Sequence, residues 1–287
     1  MNKLKEMSNI ELEEVALRLR KTCLNLATNG GCFLGASLSC VEILLTLYAK
    51  KLNFPDNDPA HPDRDLFFLS KGHDVPALYG IFCELGWLQL DDLLETHLRP
   101  GSNIYWHPNR SIPGVEFHSG SLGHILSVAT GCALDAHLKN EKRKIFVLLG
   151  DGELNEGSIW EALLVIHAWS LSNLHIVIDR NGFQANLPTE ELIPLEPMID
   201  KFQSFGLNVH RCDGHSLTEL SEYFHLDQKG GASVLIADTK RGKGIPSIEG
   251  RADRWFCNFN HDELLQLHQE LSGKGQAELK SKGLIVR

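Results

Sequence analysis

Short apolar runs rich in β-branched and aromatic residues alternate with amphipathic stretches along this chain. Residues 65–69, 144–149 (Lys-Ile-Phe-Val-Leu-Leu), 174–178 (Leu-His-Ile-Val-Ile), 207–211 and 233–239 read as strands, and the second and third are apolar enough to be buried on both faces. Ser8-Asn-Ile-Glu11 reads as a capping box that opens an amphipathic helix to about Asn25. After the break at 28–31, a second helix is predicted from about Ser39 to Lys51 through Ile43, Leu44, Leu47 and Tyr48. Further helices are predicted over 76–85, 123–138, 195–205 and 216–226. Another starts near Asn155–Gly157 and continues through Trp160, Leu163, Leu164 and His167. Residues 55–65 read as a proline-punctuated loop. Residues 98–120, rich in Gly, Pro, His and Asn, form a long connection, which in a compact domain is usually functional or disordered.

Strands alternating with helices predict a three-layer α/β/α domain around a mostly parallel sheet. No linker, repeat or low-complexity tract divides residues 1–287, so a single domain is expected. The Lys- and Gly-rich end from about 272 is expected to be loosely held. With 287 residues, 43% of them hydrophobic, the chain can bury a substantial core. Its formal net charge of −9, without a basic stripe, argues against nucleic acid as a partner. Any phosphate site must then be made locally. The cysteines at 23, 32, 40, 83, 132, 212 and 257 include no Cys-x-x-Cys pair, which points to reduced thiols in the cytoplasm. Cys40, Cys83 and Cys132 lie in apolar runs and read as core packing. The N-terminus has no secretory h-region, and no run reaches the ~18 apolar residues of a membrane span, so no membrane partner is expected.

Two strand ends carry the chemistry. The run Gly150-Asp-Gly-Glu-Leu-Asn-Glu-Gly157 closes one strand, and Ile178-Asp-Arg-Asn-Gly-Phe-Gln184 closes the next. Asp151 and Asn181 thus fall about thirty residues apart, at the carboxyl edge where open α/β sheets bind ligands. A carboxylate and an amide are hard oxygen donors, suited to Mg²⁺ or Ca²⁺ rather than zinc. Two side chains cannot complete an octahedron, so Mg²⁺ here would need phosphate oxygens. The glycines allow close backbone approach, and the helix beginning near Asn155–Gly157 presents its positive end. The site reads as built for a Mg²⁺–diphosphate. Dinucleotide binding is disfavoured, because no Gly-x-Gly-x-x-Gly follows a strand. Lys240, Arg241 and Lys243 read as a solvated charge cluster, or else as the border of the phosphate mouth.

These motifs resemble the transketolase family of thiamine diphosphate enzymes. Gly-Asp-Gly followed by Asn resembles the cofactor motif, and 150–162 is specifically transketolase-like. The likeness extends from about Leu17 to Trp255 through Gly35–Ser39, Leu69-Ser-Lys-Gly-His73, Trp106-His-Pro108 and Ser119–Gly123. It implies a thiamine diphosphate-binding fold, of which this chain is the diphosphate-binding half. It also implies Asp151, Asn181 and the Phe183 carbonyl as ligands of Mg²⁺, for which Ca²⁺ or Mn²⁺ substitutes. Two diphosphate oxygens and a water complete six. Gly150, Gly152 and Glu153 fall at the cofactor, with the Gly152 amide on the diphosphate. His73 falls on the diphosphate side, and Gly120 and Leu122 against the aminopyrimidine. His107 matches the histidine that holds the donor's terminal hydroxyl, and Glu156 matches an acidic residue facing the partner half. The resemblance makes His107, His73 and Glu156 the catalytic candidates.

Two family histidines are replaced, one by Phe33 and one by Phe256, which makes the substrate mouth more apolar. The glutamate that activates the cofactor belongs, in this family, to an opposing subunit. The resemblance therefore implies a C-terminal transketolase-like partner chain, an α₂β₂ assembly, and a small-molecule donor and acceptor. A two-carbon transfer from a ketose is the leading expectation. The alternatives are an α-keto acid donor or a carrier acceptor, motivated by Phe33 and Phe256, and a non-catalytic relative.

Overall fold

A computed structural model describes residues 2–226, 230–281 and 283. Its strands are β1 (Leu66–Leu69), β2 (Ile145–Gly150), β3 (Leu174–Arg180), a short antiparallel pair β4 (Phe183–Gln184) and β5 (Leu187–Pro188), β6 (Asn208–Asp213) and β7 (Ser233–Asp238). Five of them form one parallel sheet in the order β1-β2-β3-β7-β6. The helices are α1 (Asn9–Leu26), α2 (Leu34–Ser39), α3 (Val41–Thr46), α4 (Val75–Leu85), α5 (Leu90–Thr96), α6 (Ile125–Leu138), α7 (Gly157–Ala168), α8 (Thr189–Leu192), α9 (Met198–Ser204), α10 (Leu217–His225) and α11 (His261–Leu271).

Side chains alternate across a strand, so each strand feeds two cores. Phe67, Leu69, Phe146, Leu148, Val177 and Leu235 pack with α1–α4, α10 and α11. Leu66, Phe68, Ile145, Val147, Leu149, Ile176 and Ile236 pack with α6, α7 and α9 on the other face. This is the three-layer arrangement expected of the alternating pattern. Among the described residues no helix is long and apolar enough to cross a membrane.

Several boundaries move for physical reasons. The predicted second helix starts earlier, as α2, and breaks at Cys40 before α3 and a wide turn over Leu47–Lys51. At the break, Ser39 Oγ lies 2.7 Å from Ala36 O and 2.6 Å from Asp179 Oδ2, a tie to β3 that sequence spacing does not reveal. The helix predicted over 195–205 shrinks to α9, which begins after Pro197. Helices α5 and α11 lie outside the sequence prediction. For α11 a signal existed, since Asn260 and Glu263 form a complete capping box. Past α11, where a loosely held end was expected, Lys280 N and Ser281 N each donate to Glu263 Oε1 (2.7 Å), and Ala277 N donates to Glu270 Oε2 (3.2 Å). Residues 284–287 lie outside the described ones. All seven cysteines are free; Cys40 is buried, while Cys83 and Cys132 are only partly covered.

Candidate functional site

Parallel register brings the functional residues together. Gly150 pairs with Asp179, and Arg180 with Asp238, so Asp151, Asn181 and Thr239 emerge side by side at the carboxyl edge. Leu69 pairs with Leu148, which adds Ser70 and Lys71 from the end of β1. Asp151 is fully buried and accepts from Arg180 Nη1 (2.8 Å), Gly182 N (2.7 Å) and Gly152 N (2.8 Å). Burial raises its pKa above the ordinary carboxylate value, with Arg180 opposing. Asn181 Nδ2 donates to Asp179 Oδ2 (3.2 Å), which fixes the amide's orientation, and Asn181 Oδ1 accepts from Phe183 N (3.1 Å).

Asp179 and Lys71 form the layer beneath. Asp179 accepts from Ser39, Thr239 and Lys71, joining the ends of α2, β1, β3 and β7. Lys71 is 1% exposed and pairs with both Asp74 and Asp179. Burial alone would raise the Asp179 pKa, but the Lys71 charge and these hydrogen bonds bring it below its ordinary value. Both residues lie in the strand-end motifs, but their pairing is not visible in sequence, because it joins two strand ends far apart in the chain.

Above this floor opens a cavity of about 310 Å³. His73, His107, Gly120, Leu122, Gly150, Asp151, Gly152, Glu153, Asn181 and Phe183 all line it. Glu156 does not. It is exposed at the N-cap of α7, and the turn Gly152–Asn155 separates that helix from the cavity. Helix α7 starts at Gly157, within the predicted bounds, and none of its residues lines the cavity. The Glu153 carboxylate ties three loops together, accepting from Ser70 Oγ, Gly123 N (2.8 Å) and Gly150 N (3.3 Å). Gly120 has φ +143°, and a Cβ there would come within 2.7 Å of His107 Cδ2. A Cβ on Gly152 would come within 2.8 Å of Gln184 Cβ. Neither position accommodates a side chain without displacement.

The mouth is made of rings. Phe33 lies 4.9 Å from Trp255, 5.2 Å from Phe256, 5.5 Å from His73 and 6.1 Å from His107, centroid to centroid. Burial depresses both histidines, His73 well below its ordinary value and with help from the Lys71 charge. Arg241 corrects the reading of a solvated cluster. It is 2% exposed and lines the cavity, with its guanidinium 4.7 Å above the Phe183 ring and Nη2 donating to Phe183 O (3.3 Å). Burial lowers its pKa to about 10. Gly242 N donates to Gly35 O (2.8 Å) and draws this turn inward. Lys240 remains exposed, paired with Glu249.

A doubly wound parallel sheet that gathers acidic, amide and glycine groups at adjacent strand ends defines an α/β domain for a phosphate-bearing ligand. Residues 18–280 match the family described as transketolase, thiamine diphosphate binding domain, and the chain belongs to that family. It is 39% identical over 251 residues to one subunit of the apulose-4-phosphate transketolase of Actinobacillus succinogenes, covering 86% of this chain and 91% of that one. It is 34% identical over 278 residues to the 6-deoxy-6-sulfo-D-fructose transketolase subunit SqwG of a Clostridium species, covering 96% and 98%. Among solved structures, the transketolase of Campylobacter jejuni superposes with a TM-score of 0.83 at 26% identity. That match covers 93% of this chain and 43% of the solved one, so the chain spans less than half of that protein.

Proposed function

We propose that this chain is the N-terminal, diphosphate-binding subunit of a two-chain transketolase-like enzyme. The enzyme would cleave a C–C bond beside a donor carbonyl and pass the two-carbon unit to an acceptor. One observation carries the reading: the positions that resemble the family's cofactor and metal residues converge on a single cavity. The donor set fits the cofactor. Asp151, Asn181 and the Phe183 carbonyl offer only oxygen, which suits Mg²⁺, Ca²⁺ or Mn²⁺ shared with a diphosphate. Gly150 and Gly152 line the cavity where that diphosphate would lie, His73 would stand beside it, and Glu153 fixes the surrounding loops. Gly120 and Leu122 line the same cavity and would form the wall against the aminopyrimidine. Bound thiamine diphosphate supplies the electron sink for C–C cleavage. His107, held neutral by burial, retains one N–H and one acceptor nitrogen for a donor hydroxyl.

Among the described residues, the two carboxylates lining the cavity, Asp151 and Glu153, are engaged by hydrogen bonds within the chain. The resemblance assigns the activating glutamate to a C-terminal partner, and our reading is an α₂β₂ assembly of the two chains in the cytoplasm. Relatives of similar length that are themselves named as single subunits of transketolases support this. So do Leu164, Val165 and Trp169, exposed at 61%, 41% and 47% on and just after α7. Glu156, at the start of the same helix, faces that partner. The named relatives point to ketose substrates carrying a terminal anionic group. Phe33, packed against both cavity histidines, favours one second reading: an α-keto acid donor.

The test is purification of the tagged chain from its native cells with Mg²⁺, followed by analysis of bound cofactor and co-purifying protein. Stoichiometric thiamine diphosphate with a similar-sized partner is expected. A screen of ketose phosphates, fructose and pyruvate then separates the two donor readings. A cofactor-free homo-oligomer would overturn both.

A further inference from the structure

Arg180, the last residue of β3, has no part in the cofactor reading, yet it joins the elements that carry the proposed metal ligands. Its side chain is 9% exposed. Nη1 donates to Asp151 Oδ2 (2.8 Å) and to Thr189 Oγ1 (2.5 Å), and Nη2 donates to Glu190 Oε1 (2.6 Å). Thr189 N donates to Gly182 O (3.0 Å), and Gly182 N donates back to Asp151 Oδ2 (2.7 Å). A closed ring therefore runs Asp151–Arg180–Thr189–Gly182–Asp151. Both of its bonds to Asp151 fall on Oδ2, whereas Oδ1 accepts from Gly152 N (2.8 Å). Asn181 lies on the chain between two ring members, and Phe183 follows the second.

We infer that Arg180 is a positioning residue for the divalent-cation site, clamping Asp151 Oδ2 to the hairpin segment and leaving Oδ1 as the oxygen offered to the cation. The inference rests on the cofactor reading above. Two effects of Arg180 oppose each other. Its positive charge repels a cation bound nearby, while the ring holds three ligands in place before the cation arrives. Outer partners of metal ligands typically change affinity by about 10–100-fold, and the sign of the change separates the two effects.

The experiment uses the full chain with its co-purifying partner and measures Mn²⁺ affinity in the presence of thiamine diphosphate, by electron paramagnetic resonance. Arg180→Gln is expected to weaken Mn²⁺ binding by about 10–100-fold. Thr189→Val opens the ring but keeps the charge, and it should weaken binding several-fold with little change in the metal-free melting point. Tighter or unchanged Mn²⁺ binding by folded Arg180→Gln overturns the clamp. If Arg180→Gln does not fold, Thr189→Val decides, and unchanged affinity there overturns it. Failure of the wild-type complex to bind Mn²⁺ with thiamine diphosphate would remove the cofactor reading as well. Normal wild-type binding with unaltered variants would remove only the clamp.

Discussion

The floor of the cavity and its mouth are built on different principles. In the floor, Asp179 holds Lys71, Asn181 and Thr239, while Asp151 is held by Arg180 and Gly182, so the ends of β1, β2, β3 and β7 are tied together. The register of a parallel sheet fixes their positions, and moving one disturbs several elements. In the mouth, Phe33, His73, His107, Trp255 and Phe256 meet mainly as half-buried rings. Such contacts tolerate exchange of one ring for another of similar volume. A floor of this kind suits one fixed group, and a mouth of this kind lets substrate preference change without rebuilding the site.

The largest effect should come from undermining the floor. Asp179→Ala removes one of two carboxylates from buried Lys71 and frees the Asn181 amide. Breaking a buried pair in this way costs about 3–5 kcal/mol, readable by denaturant unfolding. A loss below about 1 kcal/mol would show that the floor does not depend on this network. Next comes Asp151→Asn, which keeps an acceptor for Arg180 but removes the charge. Calorimetric titration should show thiamine diphosphate with Mg²⁺ binding on the order of 100-fold more weakly, about 2.7 kcal/mol. Equal binding would show that Asp151 holds structure rather than metal.

Acid should separate the two regions. The His73 pKa is depressed by burial and then by Lys71, so the unfolded chain takes up this proton first. Its contribution to stability is complete above the ordinary value of 6.5 and is lost as pH falls below it. Asp179, depressed below 3.8, contributes above that value and is lost only at lower pH. Asp151 and Glu153 are raised by burial and protonate first in the folded chain, so mild acid relieves rather than strains them. Stability measured by unfolding from pH 7 to 5 should therefore fall less steeply for His73→Gln than for wild type, by up to about 1.4 kcal/mol for each pH unit below the ordinary His value. Parallel slopes would mean that His73 titrates normally.

The same division governs what the sequence could reveal. In the floor, Asp151 and Asn181 sit in short motifs at strand ends, so periodicity and two glycine-bearing turns were enough to place them at the carboxyl edge. Its deeper layer was illegible, because the Lys71–Asp179 pair, separated by 108 positions, exists only through strand register. Arg241 follows a strand in a polar, glycine-rich turn, which left its reading open between a solvated cluster and the border of the mouth; the hydrogen bond between Gly242 and Gly35 that draws the turn inward is long-range. Helix α11 was legible and missed, with its capping box followed by Leu264, Leu267 and Leu271 at helical spacing. In the mouth, the resemblance exposed Phe33 and Phe256 as departures from the family. Their contact with each other, 5.2 Å between centroids across most of the chain, needed the fold.

The smallest predicted change tests the mouth alone. Phe33→His returns a hydrogen-bond donor to a ring site beside His73, His107 and Trp255, at some loss of apolar contact, about 1 kcal/mol of stability. The floor residues keep their own partners, so thiamine diphosphate affinity should stay within about twofold. Donor preference is where the change should appear. A polar group aimed at a hydroxyl favours substrates that carry it, so kcat/KM for a ketose relative to pyruvate should rise, by about tenfold for one hydrogen bond of about 1.4 kcal/mol. An unaltered ratio with unaltered cofactor binding would place donor selection on the partner chain. A matching loss of cofactor affinity would mean that the rings of the mouth help to hold the floor, and the two regions would have to be treated as one.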